Sequence, residues 1–378
     1  MSDTGRQDAP ASDRQDAPAS PFLTRPGAVA GTGRDAGVAA HYGNPLAEQR
    51  SLAAGEAIVD LSHRAVLSIS GADRLSWIDS LTSQSVARLA PGESSETLQL
   101  DPTGRLEYDL RLVDDGTDLW LLVEGAEATG LLDWLNSMRF MLRVQVADRT
   151  EEFATIGTLG SPDILAAAPN GLALVWHDPW GSVAPGGFQY ATVTEHPGVE
   201  WTYSEILVPR ASLATIDLPA AGSLALEALR IAAWRPRLAT EGDEKTIPHE
   251  LDWLRSAVHL TKGCYRGQET VAKVHNLGHP PRRLVLLHLD GSDAVLPREG
   301  DEVLLGDTVV GRVTSSAMHF ELGPVALAVV KRSTDPRADL AVRAEDVLVA
   351  AAQEIVVPPD AGAAADVPRL PRLGTVHR

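Results

Sequence analysis

Thr97-Leu98-Gln99-Leu100-Asp101-Pro102-Thr103-Gly104-Arg105-Leu106-Glu107-Tyr108-Asp109-Leu110-Arg111-Leu112-Val113 reads as two strands folded about a turn. Pro at the second turn position presets φ, and Gly at the last tolerates the left-handed region, so Asp101-Pro102-Thr103-Gly104 is a strong turn signal. Beyond it Leu106, Tyr108, Leu110 and Leu112 alternate with Glu107, Asp109 and Arg111, the period of a strand with one buried face. On the N-terminal side, residues 57–70 read as strands and 73–89 as a helix with Leu75, Ile78 and Leu81 on one side. On the C-terminal side, Asp114-Asp115-Gly116-Thr117 turns the chain into a strand over 119–123. A helix with Leu131, Leu135, Met138 and Leu142 at helical spacing follows, and a strand over 144–147 closes the unit. This split βαβ order predicts an α+β domain over residues 53–150.

A second α+β portion is expected over 151–281, with a strand at 205–208 and a helix at 224–234. From Arg282 the texture changes to short strands at 284–289, 302–305, 308–313, 325–330 and 347–350, with tight turns at Asp290-Gly291 and Gly306-Asp307. That pattern predicts a small β-barrel over 282–357. Residues 1–45 contain Arg-Gln-Asp-Ala-Pro-Ala-Ser twice, at 6–12 and 14–20, and few large apolar side chains. They are expected to be a disordered low-complexity tail, as are residues 358–378, with ordered structure starting near Ala53.

The chain has 378 residues and a formal net charge of -18, which argues against a general nucleic-acid-binding surface and against direct DNA binding. A single cysteine excludes an internal disulfide framework and fits a reducing compartment. No apolar run reaches the roughly 20 residues that span a bilayer, and the N-terminus lacks a signal-peptide core. The expectation is a cytoplasmic protein that does not bind membranes.

That cysteine lies in Lys262-Gly263-Cys264-Tyr265-Arg266-Gly267-Gln268-Glu269. Cationic neighbours favour a thiolate, and glycines allow close backbone approach, so Cys264 is the candidate reactive group. Lys262 and Arg266 would bias it, and Gln268 and Glu269 would orient the site by hydrogen bonds. From His259 to Arg283 five cations (Lys262, Arg266, Lys273, Arg282, Arg283) face one acid, Glu269, which suggests an anion site. His275-Asn276-Leu277-Gly278-His279-Pro280-Pro281 reads as a loop, and its histidines as capping or surface groups, so no metal site is expected. Trp120 and Trp134 read as core residues; Trp253 suits packing or stacking on a planar ligand. There is no phosphate-cradling loop and no Gly-x-Ser-x-Gly elbow.

The octet resembles the Lys-Gly-Cys-Tyr-x-Gly-Gln-Glu signature of YgfZ-type folate-binding proteins, relatives of the glycine-cleavage T-protein, an aminomethyltransferase. The resemblance extends over most of 55–355 and includes Ala228-Leu229-Arg230-Ile231, Ile247-Pro248-His249-Glu250 and the strand pair around Gly104. It implies a ring-like arrangement of two α+β portions and a barrel around a tetrahydrofolate channel. It also implies a role in assembling or maintaining iron-sulfur proteins, with effects on tRNA modification and with client or assembly proteins as partners. The motif residues Lys262 to Glu269, together with Arg230, Tyr108 and Asp109, would line or serve that channel, with Arg230 and the basic segment on the folate glutamate tail. Against the T-protein's paired aspartates, Tyr108-Asp109 places a phenol at the catalytic position, and Ala232 replaces an acid on the Arg230 helix. The resemblance therefore implies folate binding without aminomethyl transfer. The alternatives are a folate-dependent one-carbon transferase and a non-catalytic docking scaffold.

Overall fold

The computed structural model describes residues 19–292 and 294–365. The opening stretch forms the predicted hairpin: Ser94–Leu100 pairs antiparallel with Leu106–Asp114, with Gln99 opposite Tyr108 and Leu98 opposite Asp109. These two strands continue into an antiparallel five-stranded sheet with Asp118–Val123, Ala65–Ser70 and Gln145–Asp148, in that spatial order. The alternation sorts its side chains by face. Leu110, Leu112, Leu119 and Leu121 pack with Trp77, Ile78, Leu131 and Leu135 of the helices Arg74–Leu81 and Ala128–Ser137. Leu98, Val113, Trp120 and Leu122 join the central core on the other face.

A second five-stranded sheet runs Val175–His177, Ser204–Pro209, Phe153–Thr158, Ile58–Asp60 and Ala220–Ala221, the last pair parallel. The strand Ile58–Asp60 precedes the first sheet in sequence yet belongs to the second, so the two α+β portions interlock. The C-terminal strands close a barrel in the order Arg282–Leu289, Gly323–Lys331, Thr308–His319, Glu302–Leu305, Leu340–Ala344 and Val347–Ile355. Closure removes exposed sheet edges. Arg282–Leu289 achieves it by pairing with both Gly323–Lys331 and Val347–Ile355.

Five expectations need correction. The helix expected over 73–89 ends at Leu81, where Thr82 turns to extended backbone with φ of -126° and ψ of 167° and the Ser83 hydroxyl bonds to the Ala257 carbonyl. A helix, Gln268–Leu277, occupies part of the region read as a loop, and His275 lies inside it. The barrel contains the strand Leu340–Ala344, which the sequence reading lacked. Residues 19–45 are folded: Phe22 and Val38 are fully buried, and Val29–Ala30 pairs with Ala39–His41 ahead of the helix Pro45–Ala53. At the other end, Ala361 is buried and Ala364 N donates to His275 O at 2.9 Å. The expected disorder of residues 1–18 and 366–378 lies outside the described residues.

Candidate functional site

Asp109 and Arg111 leave the hairpin on the face opposite Leu110 and Leu112 and point at the junction of the two sheets. There the loop residue Arg64, Glu205 of the strand Ser204–Pro209, Glu227 and Arg230 of the helix Ser223–Ala232, and Arg235 and Arg237 beyond that helix enclose a cavity of about 40 Å³. Trp176, Trp201 and Tyr203 complete its wall, with Trp201 and Tyr203 stacked at 5.0 Å between ring centroids. The turn after the helix depends on Trp234, buried with φ of 59°, the left-handed conformation common just past a helix end. It carries Arg235 and Arg237 back toward the cavity.

Glu205 is the hub. Its Oε1 accepts from Arg64 Nη1 at 2.5 Å, Arg111 Nη1 at 2.7 Å and Tyr203 Oη at 3.0 Å, while Oε2 has no hydrogen-bond partner among the described residues. Burial opposes its ionisation, but Arg111 and Arg64 outweigh burial and hold the carboxyl below its usual range. Asp109 behaves oppositely. Burial, reinforced by the charge of Glu96, pushes its carboxyl well above the usual range although Arg111 lies 3.9 Å away. Its Oδ1 is buried without a hydrogen-bond partner among the described residues. The cavity thus combines a carboxylate held ionised with a carboxylic acid that keeps its proton to higher pH. Such separation of acidities is a mark of functional sites.

The residues singled out from sequence divide between two places. Asp109 and Arg230 line the cavity, but Arg230 is committed to Glu227 at 2.7 Å, Glu241 at 2.9 Å and the Arg235 carbonyl. Tyr108 lies on the other sheet face, where it packs with the helix-side core and a Cβ on Gly130 would come within 2.9 Å of its hydroxyl. The phenol therefore does not occupy the cavity-facing position; Asp109 does. Glu205 and Arg111, the strongest pair at the site, were missed. For Arg111 the alternation with Leu110 and Leu112 was a usable signal.

The octet does not line this cavity. The Lys262 side chain is tucked away from solvent, and its ammonium donates to the carbonyls of Asp79 at 2.6 Å, Thr82 at 2.9 Å and Gln84 at 2.6 Å, closing the C-terminal end of the helix Arg74–Leu81. Arg266 faces Glu107 at 3.4 Å, and Gln268 donates to the Lys262 carbonyl at 3.2 Å. Both cations thus have partners other than the thiol they were expected to bias. Tyr265 is buried and Gly267 packs on the Asp101–Gly104 turn, while Gly263, Cys264 and Glu269 face solvent. Nor is the basic segment an open anion patch: Arg282 is held by Asp243 and Glu250, and Arg283 is buried in the barrel. His249 and His275 bond to the Val271 carbonyl and Tyr190. Trp253 is fully buried with its Nε1 donating to Glu96. Among the described residues no group of three His, Cys, Asp or Glu side chains is placed to hold a metal ion, and no helix is long and apolar enough to cross a membrane.

Residues 25–193 match the GCVT N-terminal domain, and residues 282–359 match the glycine cleavage T-protein C-terminal barrel domain. The chain is 25% identical over 316 residues to an aminomethyltransferase of Symbiobacterium thermophilum, covering 76% of this chain and 82% of that protein. It is also 25% identical over 291 residues to a putative chloroplastic transferase of Arabidopsis thaliana, covering 71% of this chain and 65% of that protein. In fold it is similar to the glycine cleavage system aminomethyltransferase T of Bartonella henselae, with a TM-score of 0.67 and 16% identity over 88% of this chain and 94% of that one. The two domain matches cover the first half and the C-terminal barrel of the chain, and the cavity lies where the interlocked sheets meet.

Proposed function

We propose that the chain binds tetrahydrofolate in the cavity around Glu205 and Asp109, as a folate-binding accessory protein of iron-sulfur protein maintenance. The observation that carries folate binding is Glu205, a carboxylate held between two arginines, beside stacked aromatic rings and in the same cavity as Asp109. A pterin presents adjacent N–H donors that a carboxylate can accept, and flat faces that aromatic rings can cover. Arginines suit the carboxylates of a glutamate tail. The residues therefore fit the ligand chemically. A cavity of about 40 Å³ holds only a few water molecules, so pterin binding requires it to widen. The iron-sulfur role is supported by the octet's resemblance alone.

A second reading, one-carbon transfer, is favoured by Asp109. The sequence argument against it placed Tyr108 at the reacting position, and Tyr108 faces away. Calorimetric titration with tetrahydrofolate tests the first reading. Glu205→Gln should weaken binding by about tenfold or more, the scale of one charged hydrogen bond, and Cys264→Ser should leave it unchanged. Wild type that takes up no tetrahydrofolate refutes the proposal. Turnover of a methylene- or aminomethyl-folate donor that Asp109→Asn abolishes would establish transfer instead.

A further inference from the structure

Arg139-Phe140-Met141-Leu142-Arg143 joins the helix Ala128–Ser137 to the strand Gln145–Asp148, and its apolar side chains point into solvent. Phe140 is 81% exposed, Met141 99% and Leu142 42%. The tip is held in this form. Phe140 adopts φ of 46°, a costly conformation for a bulky residue. Leu142 N donates to Arg139 O at 3.1 Å, and the Arg143 guanidinium and backbone N–H bond to Asp73 at 2.8 to 3.0 Å. A structured base that holds out three adjacent apolar side chains marks an interaction surface.

The tip runs directly into a sheet edge. Gln145–Asp148 pairs with Ala65–Ser70 on one side and with no other strand of the described residues. Arg149 N donates inward to Val66 O at 2.8 Å, so by alternation Gln145 and Ala147 also bond inward and Val146 turns its N–H and C=O outward.

We infer that this surface binds a second copy of the chain, edge to edge, in a two-fold antiparallel pairing. Two registers satisfy the outward groups. One sets Val146 opposite Val146 and brings Arg143 opposite Arg149, a like-charge contact. The other sets Ala147 opposite Ala147 and Gln145 opposite Arg149, with no like charges facing each other along the paired strands. Charge selects the second. The tip alone offers roughly 400 Å² of largely apolar surface per copy, about half of the 800 Å² that each partner of a standard interface buries. The paired strands and the acidic turn at Glu151-Glu152 supply the remainder.

Sedimentation of the full chain from about 1 to about 300 µM should show a reversible dimer in the micromolar range. Phe140→Ser with Met141→Ser should weaken it at least tenfold without lowering the melting temperature. The register has its own readout. In a Cys264→Ser background, Ala147→Cys places two thiols about 4.5 Å apart at Cα across a non-hydrogen-bonded pair, and mild oxidation should join them. Ser85→Cys, away from the pairing, should not cross-link. A wild-type chain that stays monomeric throughout, or a dimer that survives the tip substitutions, overturns the inference. So does a monomer that sediments with phosphatidylglycerol vesicles through Phe140 and Met141, which would assign the tip to a lipid surface.

Discussion

Single side chains in this protein separate chemistry from architecture more sharply than their neighbourhood in sequence suggests. Lys262 and Cys264 are two residues apart, yet one ammonium closes a helix end through three carbonyls and the other group faces solvent. Lys262→Met would leave those buried carbonyls without their charged donor and should cost about 2–4 kcal/mol in chemical denaturation. Cys264→Ser should stay within about 0.5 kcal/mol of wild type. Glu127 makes a prediction in pH. Burial, with help from the charge of Glu124, raises its carboxyl from 4.5 to about 7. Between those values the folded chain keeps a proton that the unfolded chain has released, so this group's contribution to stability falls as pH rises from 4.5 through 7. Asp252, raised by burial from 3.8 to about 7, acts in the same direction. Glu127→Gln should therefore be increasingly more stable than wild type as the pH of a melting series is raised from about 5 to 8. A constant difference across that range would refute the assignment.

At the level of elements, the octet and the hairpin turn are one packed unit. Gly267 has φ of +81°, and a Cβ there would meet the Asp101 carbonyl at 2.7 Å and Gly104 Cα at 2.9 Å. Among the described residues, nothing lies within 4 Å of a Cβ added at Gly263. Gly267→Ala should cost about 1–3 kcal/mol through strain and displacement of the turn, whereas Gly263→Ala should be close to neutral or slightly stabilising. Equal melting temperatures for the two variants would show that the glycine contact is dispensable. The hairpin itself was legible because period-two alternation and turn chemistry agree over residues 97–113. That same alternation puts Tyr108 with Leu110 and Leu112, so matching the pair to a family position pointed to the wrong face. The helix Gln268–Leu277 was hidden for the opposite reason. Its inward face includes Val271 and His275, and a buried histidine reads as polar until Tyr190 is seen to satisfy it. Glu205 carried no local signal. Its partners Arg64 and Arg111 come from other strands and loops, and only tertiary pairing makes it a hub.

Across the whole molecule, residues 19–53 bind the parts together, although their composition resembles a loose tail. Glu48 Oε2 accepts from Gly222 N at 2.9 Å at the start of the helix Ser223–Ala232. Gln49 exchanges hydrogen bonds with Met318 O at 2.8 Å and Phe320 N at 2.9 Å on the barrel. Asp35 bridges Arg237 at 3.1 Å and His63 at 3.4 Å beside the cavity, and Arg34 reaches Glu299 at 2.6 Å. Average composition hid this because the segment is anchored by isolated side chains. Phe22, Val38 and Leu52 are each at most 1% exposed. Full burial of each contributes about 1.5–3 kcal/mol, so together they approach the roughly 5–15 kcal/mol that stabilises a typical domain. Removing residues 1–53 should therefore abolish cooperative unfolding in urea. Phe22→Ala in the full chain should cost about 3–5 kcal/mol, the range for a buried aromatic replaced by alanine. The two variants separate a strap from a passive cover. A cover would make the point substitution costly while leaving the truncated chain cooperative. A strap joining the second sheet, the central helix and the barrel requires the truncation to lose cooperativity, and with it the fixed placement of Arg237 at the cavity.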